Sequence, residues 1–218
     1  MSLDSIYLTS YMYQANRFSC PINARCIMPW FPQGQNTLVH KFDINSSDIK
    51  YSNSAIVPGA PLNQYSMDEK DDNFRIITSS SGWWRGESET GLYILDEDLE
   101  MVSSLTGLWK GERFQSSRFM GDKLFLVTFK QIDPFFAIDL SDIKNPTVLG
   151  ELKIPGYSTY LHPYDDKHII GLGYDTVENQ WWGTQNAGIK LDLYEINYDR
   201  KCGDNNLTAD EEKKCKSC

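Results

Sequence analysis

KLFLVTFKQIDPFFAIDLSDIKNPTVLGELKIPG, residues 123 to 156, holds the pattern that decides the fold. Two runs rich in β-branched and aromatic residues, KLFLVTF (123–129) and FFAIDL (135–140), are too short for helices and are separated by a polar, proline-bearing break. They read as strands. The second run holds Asp139, a polar turn follows, another apolar run comes next, and the stretch ends on Gly156. Outward in both directions the series recurs. SIYLTS (5–10) pairs with TLVHKFDI (37–44), FRIITS (74–79) with GLYILD (91–96), and HIIGLG (168–173) with IKLDLYEI (189–196). Their second members carry Asp43, Asp96 and Glu195, so the four acids stand 53, 43 and 56 residues apart. Gly59, Gly111 and Gly156 lie 16, 15 and 17 residues beyond the first three acids.

A unit of about 45 to 55 residues with four strands is the size of a propeller blade. SAIVPGAPLNQYSM (54–67), SLTGLWKGERFQSSRF (104–119) and GELKIPGYSTYLHPY (150–164) are each expected to supply a third strand, a turn and a fourth. The fold expected is therefore all-β, a β-propeller of four-stranded blades. About four units are present, the first opening on a strand and the last stopping after its second, so the chain reads as a fragment of a larger propeller. One domain is expected over 1–198, followed by a polar, cysteine-containing tail or insertion over 199–218. Helical spacing is found only there, in TADEEKKCKS, with Thr208 as N-cap and Glu211 three residues on.

Composition narrows the function. The 218 residues are 40% hydrophobic, ordinary for a globular chain, and 21 Lys and Arg against 30 Asp and Glu leave a net charge of −9. Such a surface repels nucleic acid and anionic membranes, so neither is expected as a partner. No apolar run reaches the ~18 residues of a membrane span, so no direct membrane insertion is expected. MSLDSIYLTS has no basic head or apolar stretch, so no signal peptide is expected at the start, and any export signal would have been removed.

The candidate site comes from position in the repeat. Trp30 and Phe31, Trp83 and Trp84, and Trp181 and Trp182 are adjacent aromatics inside insertions between the first and second strands of three units. Their first members stand 13, 13 and 14 residues before Asp43, Asp96 and Glu195. Equivalent loops leave a propeller from one face, so these six rings are the candidate ligand-binding residues, for a protein or a carbohydrate. The competing reading is that the rings fold back and plug the blade tops. Adjacent residues on an extended chain point opposite ways, so at least one ring of each pair is expected to pack inward.

Cys20 and Cys26 in CPINARC have the spacing of a small disulfide loop, and Cys202, Cys215 and Cys218 leave an odd count. A zinc site built from the last three lacks a second close pair. DNNLTADEEKKC (204–215) resembles a calcium loop in its oxygen spacing but has Ala209 where the glycine belongs and Cys215 where the bidentate glutamate belongs, so no metal is assigned. His40, His162 and His168 sit in or at the ends of strands, and Asp122, Asp133, Asp139 and Asp142 sit at turns, where hydrogen bonding at strand ends accounts for them. No catalytic residue and no cofactor are assigned.

VPGAPLNQYSMDE (57–69), FRIITS and RFMGDKLFLVTFKQIDPFFAIDLSDIKNPTVLGELKIPGYSTYLHPYDDKHIIGLG (118–173) also carry a resemblance. Over about Ile6 to Ile196 the chain is similar to a family of secreted prokaryotic proteins with a C-terminal β-propeller distantly related to WD40 repeats. Members are usually longer and have no agreed catalytic residues. The resemblance implies a propeller and a secreted or cell-surface setting, without a reaction. The expected function is a non-enzymatic binding or scaffolding module; the alternative is a carbohydrate-active hydrolase with an aromatic-lined funnel and paired carboxylates.

Overall fold

The computed structural model describes residues 4–13, 35–45, 48–80, 88–107, 109–129, 133–179 and 183–196. Fourteen strands occupy them: β1 (Ser5–Tyr13), β2 (Gln35–Asn45), β3 (Asp48–Pro58), β4 (Met67–Lys70), β5 (Asn73–Ser80), β6 (Glu89–Leu95), β7 (Met101–Leu105), β8 (Arg113–Met120), β9 (Lys123–Phe129), β10 (Asp133–Asp139), β11 (Thr147–Ile154), β12 (Tyr157–Asp165), β13 (His168–Asn179) and β14 (Gly183–Glu195). A 3-10 turn, Gln64–Ser66, leads into β4. All pairing is antiparallel, in four sheets ordered β1-β2-β3, β4-β5-β6-β7, β8-β9-β10-β11 and β12-β13-β14. These are propeller blades, and every strand pair foreseen around the four acids is present.

The partition differs from the expectation in one respect. The segments 54–67, 104–119 and 150–164 do not each add two strands to one unit: β3, β7 and β11 end one sheet, and β4, β8 and β12 open the next. The glycines mark these crossings, with φ of +79° at Gly59, +75° at Gly111 and +82° at Gly156. Gly59 donates its N–H to the Gln35 carbonyl at 2.7 Å, and Gly111 donates to Ser88 at 2.7 Å, so each ties the crossing to the start of a third strand. A side chain at Gly156 would sit 2.3 Å from the Tyr174 carbonyl on β13. The chain must pass this close to the next sheet to enter it, and only glycine allows both the approach and the angle.

The acids occupy equivalent places. Ser5 faces Asp43, Lys123 faces Asp139 and His168 faces Glu195, while Leu95, one residue before Asp96, faces Phe74, one residue after the start of β5. Each acid thus closes the third strand of its blade beside the start of the second. At the same end lie two-residue hairpins between first and second strands: Asp71-Asp72, Gly121-Asp122 and Asp166-Lys167. Asp71 and Asp72 both have positive φ, 50° and 60°, the geometry whose twist matches paired strands.

The hydrophobic core lies between sheets. Val39 and Val57 of the first meet Phe74, Ile76 and Leu95 of the second. Ile77, Leu92 and Ile94 of the second meet Leu124, Leu126, Phe136 and Ile138 of the third. Phe125, Val127 and Phe135 of the third meet Leu161, Ile169 and Tyr194 of the fourth. Strand alternation makes this possible, since Ile76 and Ile77 are both fully buried yet point into different cores. Among the described residues no helix is long and apolar enough to cross a membrane.

Candidate binding face

Strand direction fixes what each end of the blades can present. The hairpins after β4, β8 and β12 and the four acids lie at one end, called here the turn face. The second strands run away from it, so the segments after β1, β5, β9 and β13 leave from the opposite end, the loop face, together with the crossings at Gly59, Gly111 and Gly156. Trp30, Phe31, Trp83, Trp84, Trp181 and Trp182 belong to these segments and lie outside the described residues. Their roots are described: Tyr13 pairs with Gln35, Ser80 with Glu89, and Asn179 with Gly183. The five cysteines and the 199–218 tail also lie outside the described residues.

At the root of the segment carrying Trp83 and Trp84 the loop face opens into a cleft of about 450 Å³ lined by Ala60, Pro61, Leu62, Ser79, Ser80, Ser88, Arg113 and Phe114. Its walls are fixed by the crossings. Ala60 and Ser79 exchange two backbone hydrogen bonds of 2.9 Å, which dock the chain after Gly59 onto the end of β5. Thr37 Oγ1 donates to the Gly59 carbonyl at 2.7 Å, and Thr78 Oγ1 donates to the Pro58 carbonyl at 2.5 Å. On the other side Ser88 Oγ donates to the Glu112 carbonyl at 2.7 Å, and Thr128 Oγ1 donates to the Glu112 carboxylate. The cleft therefore combines an apolar floor with serine hydroxyls and the exposed Arg113, which forms no ion pair among the described residues. Apolar surface with a few fixed polar groups is the general make-up of a binding cleft.

Trp109 shows how one loop-face tryptophan is used. It belongs to the crossing between β7 and β8, has φ +57°, is 9% exposed, and its ring lies 5.0 Å from that of Phe136. A bulky residue at positive φ is strained, and here the strain is offset by plugging the core between the second and third sheets.

Two of the four repeat acids at the turn face, Asp96 and Asp139, act as strand-end clamps. Asp96 Oδ1 accepts the N–H of Asp98 at 3.0 Å and of Glu100 at 2.8 Å. Asp139 Oδ1 accepts Lys123 Nζ at 2.8 Å and the Ser141 N–H at 3.1 Å. Burial alone would raise the Asp139 pKa, but these bonds outweigh it and hold the carboxyl below its ordinary range. Asp142 is lowered by the Asn145 side chain and the Lys144 N–H, and Asp165 by the Lys167 N–H and then by His168. Asp122 pairs with Lys70. The side chain of Asp133 lies outside the described residues. His168 Nδ1 is 2.8 Å from Asp165, His40 Nδ1 is 3.5 Å from Tyr51 Oη, and His162 Nδ1 is 3.3 Å from Tyr160 Oη. These histidines and carboxylates lie apart from the cleft, whose described lining holds no carboxylate.

One constellation carries no sequence signal. The first strands β8 and β12 are neighbours, and β8 also borders the 3-10 turn before β4, so first strands form the inner rim. Across it the Arg118 guanidinium lies 4.1 Å from the Tyr65 ring centroid and 5.4 Å from that of Tyr160. Its Nε donates to the Leu161 carbonyl at 2.8 Å and its Nη2 to Tyr160 Oη at 3.1 Å. Three blades are joined by one cation, from residues far apart in sequence.

A family model described as a beta propeller domain matches residues 1–202. The chain belongs to that family. It is 49% identical over 140 residues to an uncharacterized protein of Methanocaldococcus jannaschii, covering 64% of this chain and 22% of that protein. It is 40% identical over 140 residues to an uncharacterized protein of Archaeoglobus fulgidus, covering 64% and 20%. The match thus spans about a fifth of the length of these relatives. A beta propeller domain suggests a binding or scaffold module.

Proposed function

We propose that this propeller domain is a non-enzymatic binding or scaffolding module that works outside the cytoplasm and presents aromatic loops from its loop face to a protein or carbohydrate ligand. One observation carries the reading. The strands on either side of all three aromatic-bearing segments end on the same face, and at the root of the segment carrying Trp83 and Trp84 that face has a cleft with apolar and hydroxyl-bearing walls. Stacked rings supply wide apolar contact at low entropic cost, and the serines and Arg113 supply direction. The extracytoplasmic setting rests on the resemblance to secreted prokaryotic propeller proteins, and a Cys20–Cys26 disulfide, which the spacing suits, would accord with it. Mass spectrometry of unreduced peptides should find those two thiols linked in protein made under oxidising conditions, and free thiols there would remove that agreement.

Replacing Trp83 and Trp84 together by Ala should weaken binding to an immobilised glycan or peptide array about tenfold or more, with little change in melting temperature. If the rings are core instead, the same double change should lower stability by about 3–5 kcal/mol for each buried indole. Thermal denaturation of the double variant separates the two outcomes.

A further inference from the structure

We propose that Asn45 is an acceptor for an N-linked glycan. It opens the triplet Asn45-Ser46-Ser47, an asparagine followed two positions on by a hydroxyl residue with no proline between, which is the pattern that N-glycosylating transferases recognise. One other such triplet occurs in the chain, Asn206-Leu207-Thr208, and it lies outside the described residues. Asn145-Pro146-Thr147 has the asparagine and the hydroxyl but also the proline that blocks recognition. The inference rests on the extracytoplasmic setting proposed above, because the transfer is made to chains that have crossed a membrane.

The fold gives the triplet the exposure that the transfer needs. Asn45 ends β2 and pairs with Asp48 at the start of β3, so residues 46 and 47 join the two strands in a tight turn. Ile44 donates its N–H to the Asp4 carbonyl at 2.7 Å and fixes the base of this hairpin. Asn45, Asp48, Ile49 and Lys50 are all exposed, even the apolar Ile49, at 59%. The tip thus stands clear of the core that Val39 and Val57 of the same two strands enter.

The amide is also free to react. Other asparagines of the chain are spent on turns: Asn53 Oδ1 accepts the Ser54 N–H at 2.8 Å and Asn63 Oδ1 the Tyr65 N–H at 2.9 Å. Asn73 Nδ2 donates to the Asp71 carbonyl at 2.6 Å, and Asn145 Nδ2 to Asp142 at 2.8 Å. The Asn45 side chain has no hydrogen-bond partner among the described residues. In the transfer, Nδ2 bonds to the anomeric carbon of a sugar supplied on a lipid-linked phosphate. The sugar–phosphate C–O bond breaks, the phosphate leaves with the electron pair, and Nδ2 gives up one proton. Asn45 lies two residues beyond Asp43, on the turn face, so the glycan projects from the end of the blade opposite the cleft and leaves it open.

Site-resolved mass spectrometry of the protein isolated from the cells that make it should find sugar mass on Asn45 and none on Asn145. A membrane-impermeant lysine reagent applied to the intact cells should label the same protein. Asn45→Gln and Ser47→Ala should each remove the sugar from this peptide and leave the melting temperature unchanged, since an exposed turn position without partners adds little to stability. A bare Asn45 in a protein that the reagent does label would overturn the inference and leave the extracytoplasmic module standing. Labelling that appears only after lysis would overturn that setting, and the inference with it. Sugar that persists in Ser47→Ala would also overturn it, because the triplet would not then be what the transferase reads.

Discussion

Gly156 and Gly107 share a backbone angle, with φ of +82° and +80°, and differ in everything around it. A Cβ at Gly107 meets nothing within 4 Å, while one at Gly156 meets the Tyr174 carbonyl at 2.3 Å. Gly107→Ala should therefore cost only the left-handed penalty, about 1–2 kcal/mol. Gly156→Ala adds overlap against a backbone that cannot rotate away, for a total of about 2–4 kcal/mol. Urea denaturation of the two variants checks the difference, and equal costs would mean that the crossing is looser than described. Asp139 makes a second test. Its folded pKa is depressed, so its contribution is present above the unfolded value of about 4 and is lost as pH falls through the folded value. Asp139→Asn should cost about 1 kcal/mol at neutral pH and flatten the loss of stability below about pH 4, as read from melting temperature against pH.

At the scale of elements, the strands were legible because each run alternates or is continuously apolar for five to nine residues and ends at a break. The acids were legible as turn residues for the same reason, and Asp96 and Asp139 cap turns as their position implies. Sheet membership was not legible. Between β7 and β8 the seven residues 106–112 have the length of an ordinary hairpin loop, and nothing local distinguishes a turn back from a step into the next sheet. The contacts that settle it join residues some 40 to 50 apart. Arg75 is the clearest case: on β5, 2% exposed, it donates to the Gly121 carbonyl of the next sheet at 2.9 Å, pairs with Asp68 and lies 5.1 Å from the Phe119 ring centroid. Removing it strands a partly buried carboxylate and opens the join, so Arg75→Ala should cost about 2–4 kcal/mol in denaturant unfolding. Arg75→Lys should recover little of that, because one ammonium cannot serve carbonyl, carboxylate and ring together. The aromatic segments are the converse case: their place in the repeat was readable, but sequence alone does not say which ring of a pair turns outward.

At the scale of the molecule, among the described residues the second and third sheets have a core on each face, whereas the first and fourth have one core each. Stability in such a row is a sum of neighbour terms, so it should be uneven. Amide hydrogen exchange should be slowest in β5, β6, β9 and β10 and fastest in β1, β3 and β14. Uniform protection would mean that the sheets open only together.

Sheet order also follows chain order, and this has a consequence in time. The core between the first two sheets needs nothing beyond Leu99, the next nothing beyond Ile143, and the last waits for Ile196. On a ribosome the chain can thus finish one core before the next sheet has emerged, and no strand among those described must be held back for a distant partner. Each glycine crossing is then the moment at which a completed layer becomes the template for the layer still being synthesised.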